Sequence, residues 1–138
     1  MNRRIQPALR WLFCCFAAAT FTATHWPALK IAGPVPRPDL FIHFVVFGAW
    51  TVLLHLSGLL GRADAPRTAQ RTAAMAFIYA AFDEGTQAVP VLQRTVALDD
   101  LLANWGGVAM GLLLITLAGW FGLLTRLVNL TAPPAATR

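Results

Sequence analysis

Four apolar runs divide the chain, and short polar segments rich in Arg, Asp and Pro separate them. The runs cover about residues 8–26, 40–60, 72–92 and 101–125. Each is close to the length of roughly 20 residues that an α-helix needs to cross a hydrocarbon core. The pattern predicts an all-α fold, a four-helix transmembrane bundle running up-down-up-down. It forms one domain, residues 1–130, followed by a flexible tail, residues 131–138.

Two of the runs carry mixed signals. The first run follows basic residues and contains three consecutive alanines, as a signal peptide does, but its apolar stretch exceeds the usual length of about 7 to 15 residues. We therefore expect a retained helix. The third run is apolar only as far as Phe82 and then contains four residues of the wrong kind for lipid: Asp83, Glu84, Gln87 and Pro90.

The composition excludes several classes of protein. With 57% hydrophobic and 12% charged residues, the chain is too apolar for a soluble domain or a disordered segment. The net charge of +5 does not indicate nucleic acid as a partner, because the basic residues lie at the ends of the apolar runs. The adjacent Cys14 and Cys15 are predicted to be small buried side chains. No Cys/His spacing suggests a metal, so we predict neither a metal nor another cofactor.

The positions of the basic residues predict the orientation, because cytoplasmic loops carry the excess of Lys and Arg. With the amino terminus inside, eight residues lie on the cytoplasmic side: Arg3, Arg4, Arg10, Arg62, Arg67, Arg71, Arg126 and Arg138. Three lie outside: Lys30, Arg37 and Arg94. Both termini are thus predicted to be cytoplasmic. Abundant Ala and Arg, with Lys30 as the single lysine, are typical of a GC-rich bacterial genome. This fits the expectation of a multi-pass protein of the bacterial cytoplasmic membrane, whose first partner is the lipid bilayer.

This topology brings polar residues of three helices together near the outer face. The predicted site residues are Asp39, His43, Glu84, Gln87, Arg94, Asp100 and Asn104. Asp39 and His43 share one helix face because they are four residues apart, and so do Asp100 and Asn104. Glu84 is expected about 12 Å below a helix end near Leu92.

Four further residues are predicted to support this site: Asp83, Asp99, Gly107 and Gly111. Asp83 and Asp99 directly precede two of its carboxylates. The candidate counter-charges are Arg94 and, on the preceding outer loop, Lys30 and Arg37. Gly107 and Gly111 form a small-xxx-small face. We expect that face to pack inside the bundle, with homodimerisation as the alternative.

Three segments resemble the VanZ-like membrane proteins. Asp39 with His43 and Phe44 is similar to that family's opening motif in the second helix, although Leu40 stands where members often have Lys. Residues 83–87 match its Asp-Glu-x-x-Gln, and residues 94–111 resemble its Arg, Asp-x-x-x-Asn-x-x-Gly-x-x-x-Gly segment. The resemblance implies a four-helix membrane domain. The name-giving member is associated with low-level resistance to teicoplanin, and most relatives have no assigned activity.

Three functions remain open from the sequence. The first is binding of a polar headgroup in the outer leaflet, such as a lipid-linked cell-wall precursor, with the basic residues on phosphate. The second is an enzyme that uses His43 with Glu84 or Asp39 as acid and base, or a divalent metal held by Asp39, His43, Glu84 and Asp100. No nucleophile or phosphate-loop motif supports catalysis. The third is a polar cluster that only holds the helices in register.

Overall fold

The computed structural model describes residues 5–27, 37–89 and 97–130. All regular structure in these ranges is helical, so the predicted all-α fold is confirmed. The helices are α1 (Ile5–Thr24), α2 (Pro38–Ser57), α3 (Pro66–Thr86), α4 (Leu98–Trp120) and α5 (Leu123–Leu130). The predicted tail, with Lys30 and Arg94, lies outside the described residues.

The first four helices alternate in direction. A hydrogen bond from Arg37 to Asp99 joins the starts of α2 and α4, and one from Thr24 to Asp83 joins the last turns of α1 and α3. These four helix termini lie at one end of the molecule, which we call the polar end. The opposite end, where Gln6 at the start of α1 donates to the last residue of α2, is called the basic end because Arg10, Arg62, Arg67 and Arg71 belong to it.

Proline and glycine set the helix bounds more than the apolar runs do. Pro38 and Pro66 begin α2 and α3, because proline fits the first helical turn, where its missing N–H is not needed. Gly58 ends α2 in the left-handed conformation, with φ 69°. Gly122, with φ 66°, separates α4 from α5, so the predicted fourth helix of residues 101–125 is two helices.

The third helix differs most from its predicted range. It spans Pro66–Thr86 instead of residues 72–92. Its first turns include Arg67 and Arg71, which precede the apolar run, and Gln87 is its C-cap residue. Glu84 is therefore two residues, or about 3 Å, from the end of the helix. The expected depth of about 12 Å was wrong.

α2 and α4 run parallel to one another and pack at backbone distance. Gly107 lies against the Phe44 carbonyl, and Gly111 lies against Gly48 and Thr51, so closely that a Cβ on either glycine would overlap α2. Small residues permit such close approach between helices. The predicted packing of this glycine face inside the chain is confirmed.

Aromatic side chains fill the centre between the helices. Trp50 of α2 stacks on Tyr79 of α3 with ring centroids 4.5 Å apart, and the edge of Phe13 from α1 meets Trp50 at 5.1 Å. Around this core the chain exposes many large apolar side chains. The adjacent Cys14 and Cys15 are exposed on α1 as well, so the prediction that they are buried was wrong.

Two of the helices, α2 and α4, are long and apolar enough to cross a membrane. α1 and α3 do not meet that criterion of length and hydropathy within the described residues. By this measure the sequence prediction of four spans is supported for two helices.

The glycine contact gives a direct test of the packing. We expect Gly107→Ala to lower the free energy of unfolding by about 1–3 kcal/mol, because the added Cβ must displace backbone atoms of α2. Gly85→Ala is the matched control, since a Cβ there meets open space and alanine favours the helix by about 0.5–1 kcal/mol. Thermal unfolding of the detergent-solubilised protein measures both. Equal stability of the two variants would contradict the packing.

Candidate functional site

The polar end contains two groups of buried polar side chains. The first, the α1–α3 polar group, consists of Thr24, His25, Asp83, Thr86 and Gln87. Thr24 Oγ1 donates to Asp83 Oδ1 at 2.9 Å, and Gln87 Nε2 donates to Asp83 Oδ2 at 3.4 Å. The His25 Nε2 and Thr86 Oγ1 atoms are 2.8 Å apart. Both carboxylate oxygens of the fully buried Asp83 are therefore engaged, and the group links α1 to α3.

The second, the α2–α4 polar group, consists of His43, Glu84, Asp100 and Asn104. His43 Nδ1 lies 2.9 Å from Asn104 Oδ1, which ties α2 to α4. Glu84 Oε1 accepts the Ala97 N–H at 2.9 Å, where α4 begins. A carboxylate is favourable there, because the first N–H groups of a helix lack partners inside it and carry partial positive charge.

Three buried atoms of the α2–α4 polar group have no hydrogen-bond partner in the described part of the chain. They are Glu84 Oε2, Asp100 Oδ1 and Asn104 Nδ2. Glu84 is 1% exposed and Asn104 is 0% exposed. Buried polar atoms are nearly always partnered, so these three atoms are exceptions within the described part of the chain.

An ion-pair network around the exposed Arg37 adjoins the α2–α4 polar group. Arg37 donates to Asp99 and has Asp39 at 3.6 Å and Asp100 at 4.0 Å. The hydrogen bond to Asp99 raises the pKa of Arg37, so its guanidinium stays charged. Because Arg37 is already surrounded by carboxylates, it is poorly placed to contact a phosphate, which is the role expected for it from the sequence.

The structure brings together most of the predicted site residues, in two sets. His43, Glu84, Asp100 and Asn104 lie in one group, while Gln87 joins Asp83 in the other. Asp39 pairs with Arg37 and not with His43. Arg94, the seventh predicted residue, falls outside the described residues.

Sequence reasoning missed Thr24 and Thr86. Thr24 ends α1 and Thr86 ends α3, so each resembles an ordinary terminal hydroxyl. Their importance comes from the meeting of these two helix ends, which no local pattern encodes.

The alternative of a divalent metal has no geometric basis among the described residues. No three His, Cys, Asp or Glu side chains there are arranged to hold a metal ion. The proposed set of Asp39, His43, Glu84 and Asp100 is instead divided between the ion-pair network and the buried group.

The basic end has a separate buried contact. His55 has its Nε2 2.9 Å from the Ala63 carbonyl and its Nδ1 3.2 Å from Thr72 Oγ1, so it links α2 to the following loop and to α3. His55 thus lies at the opposite end of the molecule from the two polar groups. Nearby, hydrogen bonds from Arg62 lower the pKa of Asp64, which keeps that carboxylate charged.

A comparison with protein families assigns the chain. The VanZ/LLP1 family model matches residues 40–119, from the start of α2 to the end of α4. The chain belongs to the VanZ/LLP1 family. The resemblance inferred from residues 39–47, 83–87 and 94–111 is thereby confirmed. Neither the curated proteins nor the solved structures include a match to the chain.

The family match contains the whole α2–α4 polar group and the glycines that pack beside it. It covers His43, Glu84, Asp100, Asn104 and the glycines of α4. Together with the two apolar helices, family membership indicates a membrane-associated protein of the VanZ type.

The link between α1 and α3 can be measured by a double-mutant cycle. We expect Thr24→Val and Asp83→Leu to show a coupling energy of about 0.6–1.7 kcal/mol, from the average to the largest value measured for hydrogen bonds between membrane helices. The unfolding free energies of the wild type, both single variants and the double variant give this value. Thr22→Val, which removes a hydroxyl bonded only within α1, serves as the control partner and should show no coupling with Asp83. Additive effects of Thr24→Val and Asp83→Leu would contradict the link.

Proposed function

We propose that this chain is a four-span protein of the bacterial cytoplasmic membrane whose polar end faces outward and binds the polar headgroup of a lipid or a lipid-linked envelope precursor. The single observation that carries the binding proposal is the set of unpartnered buried atoms on Glu84, Asp100 and Asn104. Three further features support the proposed number of spans and their orientation.

The first feature is the inverted polarity of α3. Its buried face includes Thr68, Thr72, Asp83 and Glu84. Its outer face carries Met75, Ile78 and Phe82, which are 47%, 66% and 55% exposed. A soluble helix places such residues the other way round. The low mean hydropathy of α3 thus comes from polar residues turned inward, which supports a third membrane span.

The second feature is the outer surface of α1. Trp11, Leu12 and Phe21 are exposed on it, with tryptophans near both ends of the molecule: Trp11 and Trp120 towards the basic end, and Trp26 at the polar end. Tryptophan is enriched where membrane spans meet the headgroup region. Exposed apolar side chains between two such levels fit a helix in contact with lipid and support the fourth span.

The third feature is the uneven distribution of basic residues. Arg10, Arg62, Arg67 and Arg71 belong to the basic end, whereas the described cation at the polar end is Arg37. The basic end is therefore assigned to the cytoplasm. The polar end is then exposed to the compartment in which envelope precursors are used.

The two polar groups separate a binding role from a structural one. The α1–α3 polar group is internally hydrogen-bonded, as expected of a cluster that holds helices together. The α2–α4 polar group has three atoms left over. Because unpartnered buried polar atoms cost free energy, a group kept only for stability would not retain them.

Headgroup binding also connects the chain to the phenotype of the family's name-giving member. A precursor or lipid held at the outer face would be withheld from envelope assembly. We propose this as the route by which the chain would alter susceptibility to teicoplanin.

Topology can be tested by labelling cysteines with a membrane-impermeant maleimide. The background carries Cys14→Ala and Cys15→Ala, because both native thiols are exposed. We expect Trp26→Cys to react in intact spheroplasts and Asp64→Cys to react only after lysis. The reverse pattern, or equal reaction of both, would contradict the orientation.

Binding can be tested by identifying the lipids and precursors that co-purify with the full chain by mass spectrometry. We expect a bound species that Glu84→Gln and Asn104→Leu each deplete, with altered teicoplanin susceptibility in the same strains. Asp64→Asn is the control, since it neutralises a charged carboxylate at the basic end. An identical lipid profile in all four proteins would remove the basis for the proposal.

A further inference from the structure

The unpartnered atoms of the α2–α4 polar group specify what an external partner must offer. Glu84 Oε2 and Asp100 Oδ1 are acceptors that need donors, and Asn104 Nδ2 is a donor that needs an acceptor. Asp100 and Asn104 are one helical turn apart on α4, and Glu84 accepts the Ala97 N–H at 2.9 Å at the start of the same helix. One ligand can therefore meet all three atoms.

The charge of the site further restricts the chemical class of the external partner. Asp39 and Asp99 form ion pairs with the exposed Arg37, and Glu84 Oε1 accepts the Ala97 N–H at the start of α4. Among the described residues, that leaves Glu84 Oε2 without a counter-charge, while Asp100 Oδ1 has Arg37 at 4.0 Å, beyond hydrogen-bonding distance. A buried carboxylate that is ionised is stabilised by a positive partner, which a neutral hydroxyl does not supply.

We propose that the headgroup bound at this site carries a primary ammonium, which donates N–H bonds to Glu84 Oε2 and Asp100 Oδ1. Asn104 Nδ2 donates to a phosphate or hydroxyl oxygen of the same headgroup. This inference rests on the proposed headgroup binding and names its chemical class. Free phosphate does not fit, because two carboxylates repel it. A quaternary ammonium supplies charge but no N–H donor, and a glycerol headgroup supplies donors but no positive charge.

Three lipids with identical acyl chains separate these requirements. Native mass spectrometry of the full chain in detergent is titrated with phosphatidylethanolamine, phosphatidylcholine or phosphatidylglycerol. We expect phosphatidylethanolamine to bind roughly tenfold or more tightly than either of the others, as a charged hydrogen bond of usual strength implies. Glu84→Gln and Asp100→Asn should each abolish that preference, and Asp64→Asn should retain it.

The variants also distinguish the failure of this inference from failure of the proposed function. A preference for phosphatidylglycerol that depends on Glu84 would overturn the ammonium and leave headgroup binding in place. If no lipid depends on Glu84 or Asp100, both proposals fall. Thermal unfolding of each variant shows whether a loss of binding reflects a loss of fold, and Asp100→Asn keeps the test valid where Glu84→Gln disturbs the start of α4.

An internal counter-charge from Arg94 is the remaining competitor. The proposal expects Arg94→Gln to keep the preference for phosphatidylethanolamine. If Arg94→Gln instead lowers the unfolding temperature and Glu84→Gln in the same chain restores it, the carboxylate is paired within the protein. That result would overturn the assignment of a ligand ammonium.

Discussion

The close approach of α2 and α4 is the constraint on which the polar end depends. Gly107 and Gly111 let the two parallel backbones meet, and that proximity brings His43 within 2.9 Å of Asn104. A larger residue in the glycine face would push the helices apart and break that contact. The small residues of α4 therefore belong to the site although they carry no chemistry themselves.

The two polar groups differ in how completely their carboxylates are hydrogen-bonded. In the α1–α3 polar group, Asp83 is fully buried and both its oxygens are used by neighbouring side chains. In the α2–α4 polar group, Glu84 uses one oxygen for the start of α4 and leaves the other free. The two groups adjoin because Asp83 and Glu84 are consecutive residues of α3. A carboxylate with both oxygens hydrogen-bonded therefore lies next to one with a free acceptor oxygen.

Much of this arrangement could be predicted from the sequence. Spans of apolar residues predicted the four main helices, and spacing of four placed Asp100 and Asn104 on one face. The glycine face was predicted because small residues recur at the spacing of a helical contact. Helix bounds were less accurate, since Pro66 and Gly122 decided them and hydropathy did not.

The parts that could not be predicted involve contacts between distant segments. Thr24 and Thr86 gain their partners only when the ends of α1 and α3 meet. Likewise, α3 has a low mean hydropathy because it contains polar residues, and a mean over the sequence does not show that these residues are turned inward. The exposed position of Cys14 and Cys15 has the same origin: in an apolar environment, the outside of a helix is as suitable for a small apolar side chain as the inside.

Glu84 joins the end of α3 to the start of α4. One oxygen of this carboxylate accepts the backbone N–H of Ala97, the residue before α4, and the other has no hydrogen-bond partner among the described residues. In the complex that we propose, the second oxygen would bind the headgroup, so that a single side chain would hold both the ligand and the first turn of α4.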